Sequence, residues 1–392
     1  MYIKKTPISI PKTSKKKEII TMEKKNLEMA IQLRHELHAH PELSNYEVWT
    51  KQHVIEFLKA NTSLEIVDKG RWFYAIYHSP VGKRNVAFRA DFDALPIEET
   101  IELPYGSQIP GVSHKCGHDG HTATLVGFAL EIDQKGSDNN IFFLFQHAEE
   151  TGDGASECAV FIKEENIDEI FAWHNMSGFP HGVVHVIDGT AHCASKGMSI
   201  YFEGAQSHAS EPEKGKNPSF AIAKVIDAIP RFVDPAANEG IVLCTIVQVD
   251  IGAKAFGVNA GKGVLRMTIR ALYEAEMDKL QKNLEDLAQA EAEKYGLKVR
   301  FEYQDEFPET ANHKESTDKI RAVCQEKGLP MDELQEAFRG SEDFGHFTKL
   351  TKGSYCYVGN GEDYPILHSF EYDFRDDLIE TAVEVFKGLA DK

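Results

Sequence analysis

Apolar and polar positions follow two different rhythms along this chain. "AIQLRHELHAHPEL", beginning at Ala30, spaces its apolar residues at helical intervals and predicts an amphipathic helix that ends at His40-Pro41. Short apolar runs then alternate with helical patterns: "NVAFRAD", "HTATLVGFALEIDQK", "NIFFLFQHAEE" and "EIFAWHN". Such alternation predicts βαβ units and a mostly parallel sheet covered by helices. Between about Cys193 and Phe307 the order changes. "GMSIYFEG" reads as a strand, "NPSFAIAKVIDAIPRFV" as a helix, and "IVLCTIVQVDIG" and "GVLRMTIRAL" as two strands. The long charged helix "EAEMDKLQKNLEDLAQAEAEKYGL" and the strand "KVRFEYQDEF" complete a βαββαβ unit of ferredoxin-like order. The α/β rhythm then resumes, with "SYCYVGNG" as a strand and "RDDLIETAVEVFKGLADK" as a closing helix. The expected organisation is a leader over 1–21 and a main α/β domain in two parts, 22–192 and 307–392, interrupted by an insert over 193–306.

Composition narrows the class. The 392 residues are 42% hydrophobic, as in a globular protein, and no run approaches the ~18 apolar residues of a membrane span. The first 17 residues carry six lysines and no acid, without the apolar stretch of an export signal, and predict a disordered leader. A net charge of −19 excludes a nucleic-acid partner, which needs a basic footprint. Cys116, Cys158, Cys193, Cys244, Cys324 and Cys356 are too widely spaced for a CxxC knuckle. A disulfide framework is not expected in so large a chain without an export signal, which points to the reducing cytoplasm.

In open α/β sheets ligands bind beyond the carboxyl ends of the strands. Polar residues stand at those ends here: Asp91 and Asp93, Glu149 and Glu150, and His174. The densest stretch is "SHKCGHDGHT", with His114, Cys116, His118, Asp119 and His121. In an extended segment Cys116 and His118 point the same way, and a thiolate with an imidazole suits zinc or a similar metal. A polar turn with Asp119 capping a helix from about Gly120 would use the same residues. Glu149 and Glu150 follow a strand, where neighbouring side chains diverge, so one can ligate a metal while the other serves as general base. From these two residues alone, a solvated surface pair is the commoner reading. Asp91 and Asp93 have the spacing to orient ligand imidazoles, or belong to an aspartate-rich turn. His174 follows an apolar strand, as does His368 at longer range, and each taken alone is more often an ordinary histidine.

Taken together, "RHELHAHPELSNYE", "FRADFDALPIEET", "HKCGHDGHTATLVG", "FQHAEE", "SEDFGHF" and "LHSFEYDFRDD" occur in one recognisable order. Over nearly everything after the leader, the chain resembles the dinuclear-metal amidohydrolases that include hippurate hydrolases, aminoacylase-like enzymes, acetyl-diaminopimelate deacetylases and auxin-conjugate hydrolases. It is similar more distantly to zinc carboxypeptidases and dipeptidases. The resemblance implies a zinc-exopeptidase-like α/β catalytic domain interrupted by a smaller ferredoxin-like lid and dimerisation domain. It implies two divalent metal ions per subunit, zinc foremost, with manganese, nickel or cobalt as alternatives. Cys116 would bridge the ions, with His118, Glu150, His174 and His368 completing the ligand set. Glu149 would be the general base and Asp93 its orienting partner. His208 in "GAQSHASEP" would help hold the reacting carbonyl, across a homodimer, and Asn259 in "FGVNAGKG" would contact substrate. The implied reaction is hydrolysis of the amide bond of an N-acyl amino acid or small peptide-like substrate. Two departures touch substrate preference: only Pro180 remains of the prolines expected after the ligand histidine, and Asn259 is followed by Ala-Gly-Lys rather than Val-Ile-Pro. A cysteine hydrolase with Cys116 as nucleophile would leave Glu149, Glu150, His174 and His368 without roles. A non-catalytic binding protein that retains the fold is the alternative from another class.

Overall fold

A computed structural model describes residues 22–392; the expected leader over 1–21 lies outside the described residues. The larger sheet has eight strands in the order 65–68, 73–77, 140–146, 85–91, 169–177, 352–361, 184–186 and 331–333. Its four central strands run parallel, and antiparallel pairs occur only toward the flanks. These central strands are the continuous apolar runs of the sequence, and they are buried on both faces as parallel strands must be.

Helices Lys24–Ala39, His118–Lys135 and Leu378–Leu389 cover one face, over a core that includes Leu33, Phe88, Phe128, Phe143 and Phe386. Every residue from His118 to Ile132 is buried, so that helix is the central one. The opposite face packs Trp72, Tyr74, Phe161, Phe344 and Tyr355 under short helices and loops. The helix Val48–Asn61 and the strands 65–68 and 73–77 at one flank of the sheet were not legible in the apolar pattern, being short or only half-buried.

The insert is a four-stranded antiparallel sheet ordered 242–251, 262–271, 194–203 and 298–307. Helices Ser219–Phe232 and Glu274–Tyr295 pack on one face of it around a separate core of Met198, Ile200, Leu265, Met267, Leu280 and Leu284. This is the ferredoxin-like βαββαβ order, and both crossings back to the main sheet lie at one end of the insert. Among the described residues no helix is long and apolar enough to cross a membrane.

Candidate metal centre and catalytic cluster

The carboxyl ends of strands 85–91, 140–146 and 169–177 converge at one point, as they do in any parallel sheet. The turn Lys115–Gly117 and the loop around His368 close over that point, tied by a hydrogen bond from the His368 backbone N–H to the Lys115 carbonyl (2.7 Å). Two groups of three donor atoms form there and share Cys116: Cys116 with His118 and His174, and Cys116 with Glu150 and His368. The Cys116 sulfur lies 3.4 Å from His174 Nε2 and 3.3 Å from His368 Nε2. Glu150 Oε1 lies 3.5 Å from His368 Nε2 and 3.8 Å from His118 Nε2. The structure therefore brings together all five residues that the resemblance implies as ligands.

Local backbone differs from the sequence expectation in three places. The segment Cys116–His118 is not extended, because Gly117 is left-handed (φ 101°); the turn, rather than strand alternation, brings both side chains to one centre. Asp119 does not cap the helix. Gly117 occupies that position and the helix begins at His118, which puts Asp119 inside the first turn. There its carboxylate accepts from His38 Nδ1 (2.8 Å) and lies 3.4 Å from Arg34. Glu149 and Glu150 converge rather than diverge, since the strand ends at Gln146 and Ala148 turns left-handed (φ 48°). Their carboxylates lie 3.9 and 3.8 Å from the same His118 Nε2.

Asp93 contacts His118 and makes no hydrogen bond to Glu149. Its Oδ1 is hydrogen-bonded to His118 Nδ1 (3.0 Å), and its Oδ2 accepts from the Glu150 backbone N–H (2.9 Å) and the Ser44 hydroxyl (2.7 Å). This leaves His118 Nε2 facing the centre, as a ligand imidazole requires. Asp91 likewise engages His121 Nδ1 (2.6 Å), but His121 Nε2 meets Asn175 Oδ1 (2.6 Å) and not the centre.

The donor set fits divalent cations on several grounds. His118 Nε2 and Glu150 Oε1 are buried without a hydrogen-bond partner and aim at the same centre. Burial, reinforced by the neighbouring His121, holds His174 well below the ordinary imidazole value, so it is a neutral donor. Burial, then Glu150 and Glu149, pushes the Cys116 thiol well above its ordinary value. Without a cation this thiol stays protonated, whereas a nucleophilic cysteine requires the opposite shift. Burial together with Glu342, Glu150 and Asp343 likewise raises Glu149 well above the ordinary carboxylate range. Against burial, Asp91 and Asp93 lift His118 to about 10.

The carboxylates of Glu342 and Asp343 come close enough to Glu149 to form a further donor group. Arg89 offsets part of that charge, with Nη2 at 3.0 Å from Glu342 and 2.8 Å from Asp343 and Nη1 at 2.6 Å from Asp91. Sequence reasoning assigned no role to Arg89, Asp91's partner His121, Asn175 or Tyr372; the only signal was that each lies within or next to a quoted motif. His114 is buried with both ring nitrogens unpartnered, and burial lowers it to about 4.

His208 and Asn259 are not part of the cluster. They stand on a small two-stranded ribbon of the insert, where Asn259 pairs with Ser207 and His208 with Val258. His208 is exposed and its Nδ1 meets only Ser210, while Asn259 bonds Ser207, Asn217 and the Pro212 carbonyl.

This geometry has counterparts. A family profile described as Peptidase family M20/M25/M40 matches residues 87–392. The chain belongs to this family. Hippurate hydrolase from Campylobacter jejuni subsp. jejuni is 30% identical over 91% of this chain and 94% of its own length. N-acetyldiaminopimelate deacetylase from Oenococcus oeni is 29% identical over 92% of this chain and 97% of its own. The fold matches the crystal structure of Bacillus subtilis YXEP protein, described as a dinuclear metal binding peptidase of family M20, with a TM-score of 0.79 at 24% identity. That match covers 94% of this chain and 98% of the other. Membership of the family and the cluster geometry make this protein a metal-dependent hydrolase acting on C–N bonds.

Proposed function

We propose that this protein hydrolyses the amide bond of N-acyl amino acids or small peptide-like substrates, with Glu149 as general base and two divalent cations, zinc foremost, held by Cys116, His118, Glu150, His174 and His368. The observation that carries the reading is the pair of donor triads sharing Cys116 with Glu149 alongside. Cations held there supply Lewis acidity, which polarises the scissile carbonyl and makes water a nucleophile near neutral pH. Glu149 takes the proton of the attacking water and returns it to the leaving amine, a role its burial and high proton affinity suit. Asp93 keeps His118 Nδ1 engaged so that Nε2 remains available.

At the seam with the insert, the Arg270 guanidinium donates to Ser341 Oγ (2.7 Å) and to the Arg339 carbonyl and meets no carboxylate among the described residues. It is the group we assign to the substrate carboxylate. The insert's outermost strand, Val242–Ile251, carries exposed Leu243, Ile246, Val247 and Val249 and no Lys, Arg or Pro to block pairing. This supports a homodimer joined at that edge, in which His208 and Asn259, which stand outside this subunit's own cluster, serve the partner's substrate. His208 would then donate to the developing oxyanion.

Glu149→Gln is the test. It removes the base without removing a ligand, so turnover of an N-acetyl, N-benzoyl and dipeptide panel should fall by about 10²–10⁴-fold. Elemental analysis should still find two ions per chain. Wild-type rates in this variant would remove Glu149 from the role. Loss of activity in a chelator and recovery on adding metal separates this route from thiol chemistry at Cys116.

A further inference from the structure

Beneath the ligand cluster runs a chain of buried polar side chains that no step of the proposed chemistry uses. It begins at Arg89, passes through Asp91 and His121, and continues to Asn175 and Tyr372. Asn175 is its fourth member and is fully buried. The Asn175 side-chain amide is hydrogen-bonded to His121 Nε2 (2.6 Å) and donates to the Tyr372 hydroxyl (2.6 Å). Its backbone carbonyl accepts from His174 Nδ1 (2.6 Å), which turns His174 Nε2 toward Cys116. Gly117 rests against the same pair: a Cβ there would stand 2.5 Å from Asn175 Oδ1 and 2.9 Å from the Tyr372 hydroxyl.

One residue thus touches the helix that begins at His118, the strand end that carries His174, the turn that carries Cys116 and the segment that carries His368. These contacts join positions from Gly117 to Tyr372 through one residue. We propose that Asn175 is the positioning residue of the cluster, holding Cys116, His174 and His368 in register through its contacts to His121, Tyr372 and Gly117. The proposal rests on the reading that divalent cations bind here, and it adds a role for a residue that is itself no ligand.

Groups that orient metal ligands typically govern affinity by about 10–100-fold, because a ligand that must be re-ordered on binding loses that much. The probe is cobalt(II), titrated into metal-stripped protein and read by its visible d–d bands and its thiolate charge-transfer band. Asn175→Leu keeps the side-chain size and removes both polar contacts. It should weaken cobalt binding about 10–100-fold and alter the charge-transfer band. Asn175→Asp keeps the shape and lets the Tyr372 hydroxyl donate instead, so it should recover most of the affinity and the spectrum. Tyr372→Phe removes one contact alone and gives the deciding result should Asn175→Leu not fold; a weaker, altered cobalt spectrum supports the proposal. A residue that only stabilises the fold would lower the melting temperature of the metal-free protein and leave affinity and spectrum unchanged. Wild-type affinity and spectrum in folded Asn175→Leu, or in Tyr372→Phe when that variant decides, overturns the proposal. Failure of the wild-type protein to bind cobalt would overturn the metal reading itself, and this inference with it.

Discussion

Replacing Gly117 with alanine tests how tightly the Cys116–His118 turn is built. Gly117 is left-handed at φ 101°, and an L-residue held in the left-handed region costs about 1–2 kcal/mol. The added Cβ would also stand 2.5 Å from Asn175 Oδ1 and 2.9 Å from the Tyr372 hydroxyl. Both groups belong to fully buried side chains already hydrogen-bonded to each other. Making room gives up one of their buried hydrogen bonds, at about 1–3 kcal/mol. The sum is about 2–5 kcal/mol. At about 2 °C per kcal/mol for a domain of this size, Gly117→Ala should lower the melting temperature of the metal-free protein by about 4–10 °C. Gly178 provides the control, because it too is left-handed (φ 86°) but has nothing within 4 Å of an added Cβ. Gly178→Ala carries only the backbone cost, so near-UV circular dichroism melts should separate the two variants by at least about 2 °C. Equal shifts would refute the claim that the Asn175–Tyr372 pair fills the space beside Gly117.

Three further outcomes are expected. Asp93→Ala removes the Nδ1 partner of His118, so metal affinity measured by chelator competition should fall about 10–100-fold, and an unchanged affinity would dismiss Asp93 as an orienting group. Burial raises the Glu131 carboxyl, but Lys135, Asn26, the Glu23 backbone N–H and Lys387 outweigh it and bring it down from 4.5 to about 2. A lowered carboxylate stabilises the fold above its unfolded value and ceases to do so as pH falls through its folded one. Wild type should therefore exceed Glu131→Gln by up to about 3 kcal/mol above pH 5, with the gap closing toward pH 2 in urea titrations; a gap that does not change with pH would contradict this. Val247 is 65% exposed on the insert's outer strand, and Val247→Lys should convert a dimer to a monomer in light scattering, whereas an unchanged mass would exclude that edge as the contact.

Much of the fold was readable because its signals are local. The strands 85–91, 140–146 and 169–177 are unbroken apolar runs, and only strands buried on both faces require that composition. The insert announced itself by a change in element order, and its strands alternate because helices cover one face alone. Cys116, His118, Glu150, His174 and His368 could be nominated because each follows a strand or belongs to a quoted motif. That Cys116 is shared between two triads was implied by the resemblance alone and not by any local spacing, because the two imidazoles flanking its sulfur come from positions 174 and 368.

What the sequence determined by itself was therefore the class of each segment, which depends on near-neighbour spacing, and the candidate donors, which rest on the order of the quoted motifs. Tertiary structure decided how those donors face one another. A left-handed Ala148 turns Glu149 and Glu150 toward one imidazole, where strand alternation alone would have parted them. A left-handed Gly117 replaces the extended geometry expected for Cys116 and His118. Asp119 left the helix cap because His38 and Arg34, distant in sequence, supplied buried partners for its charge. The same reason put Arg89 beneath three carboxylates and Asn175 between His121 and Tyr372: buried polar groups must find partners, and in this fold those partners come from other segments.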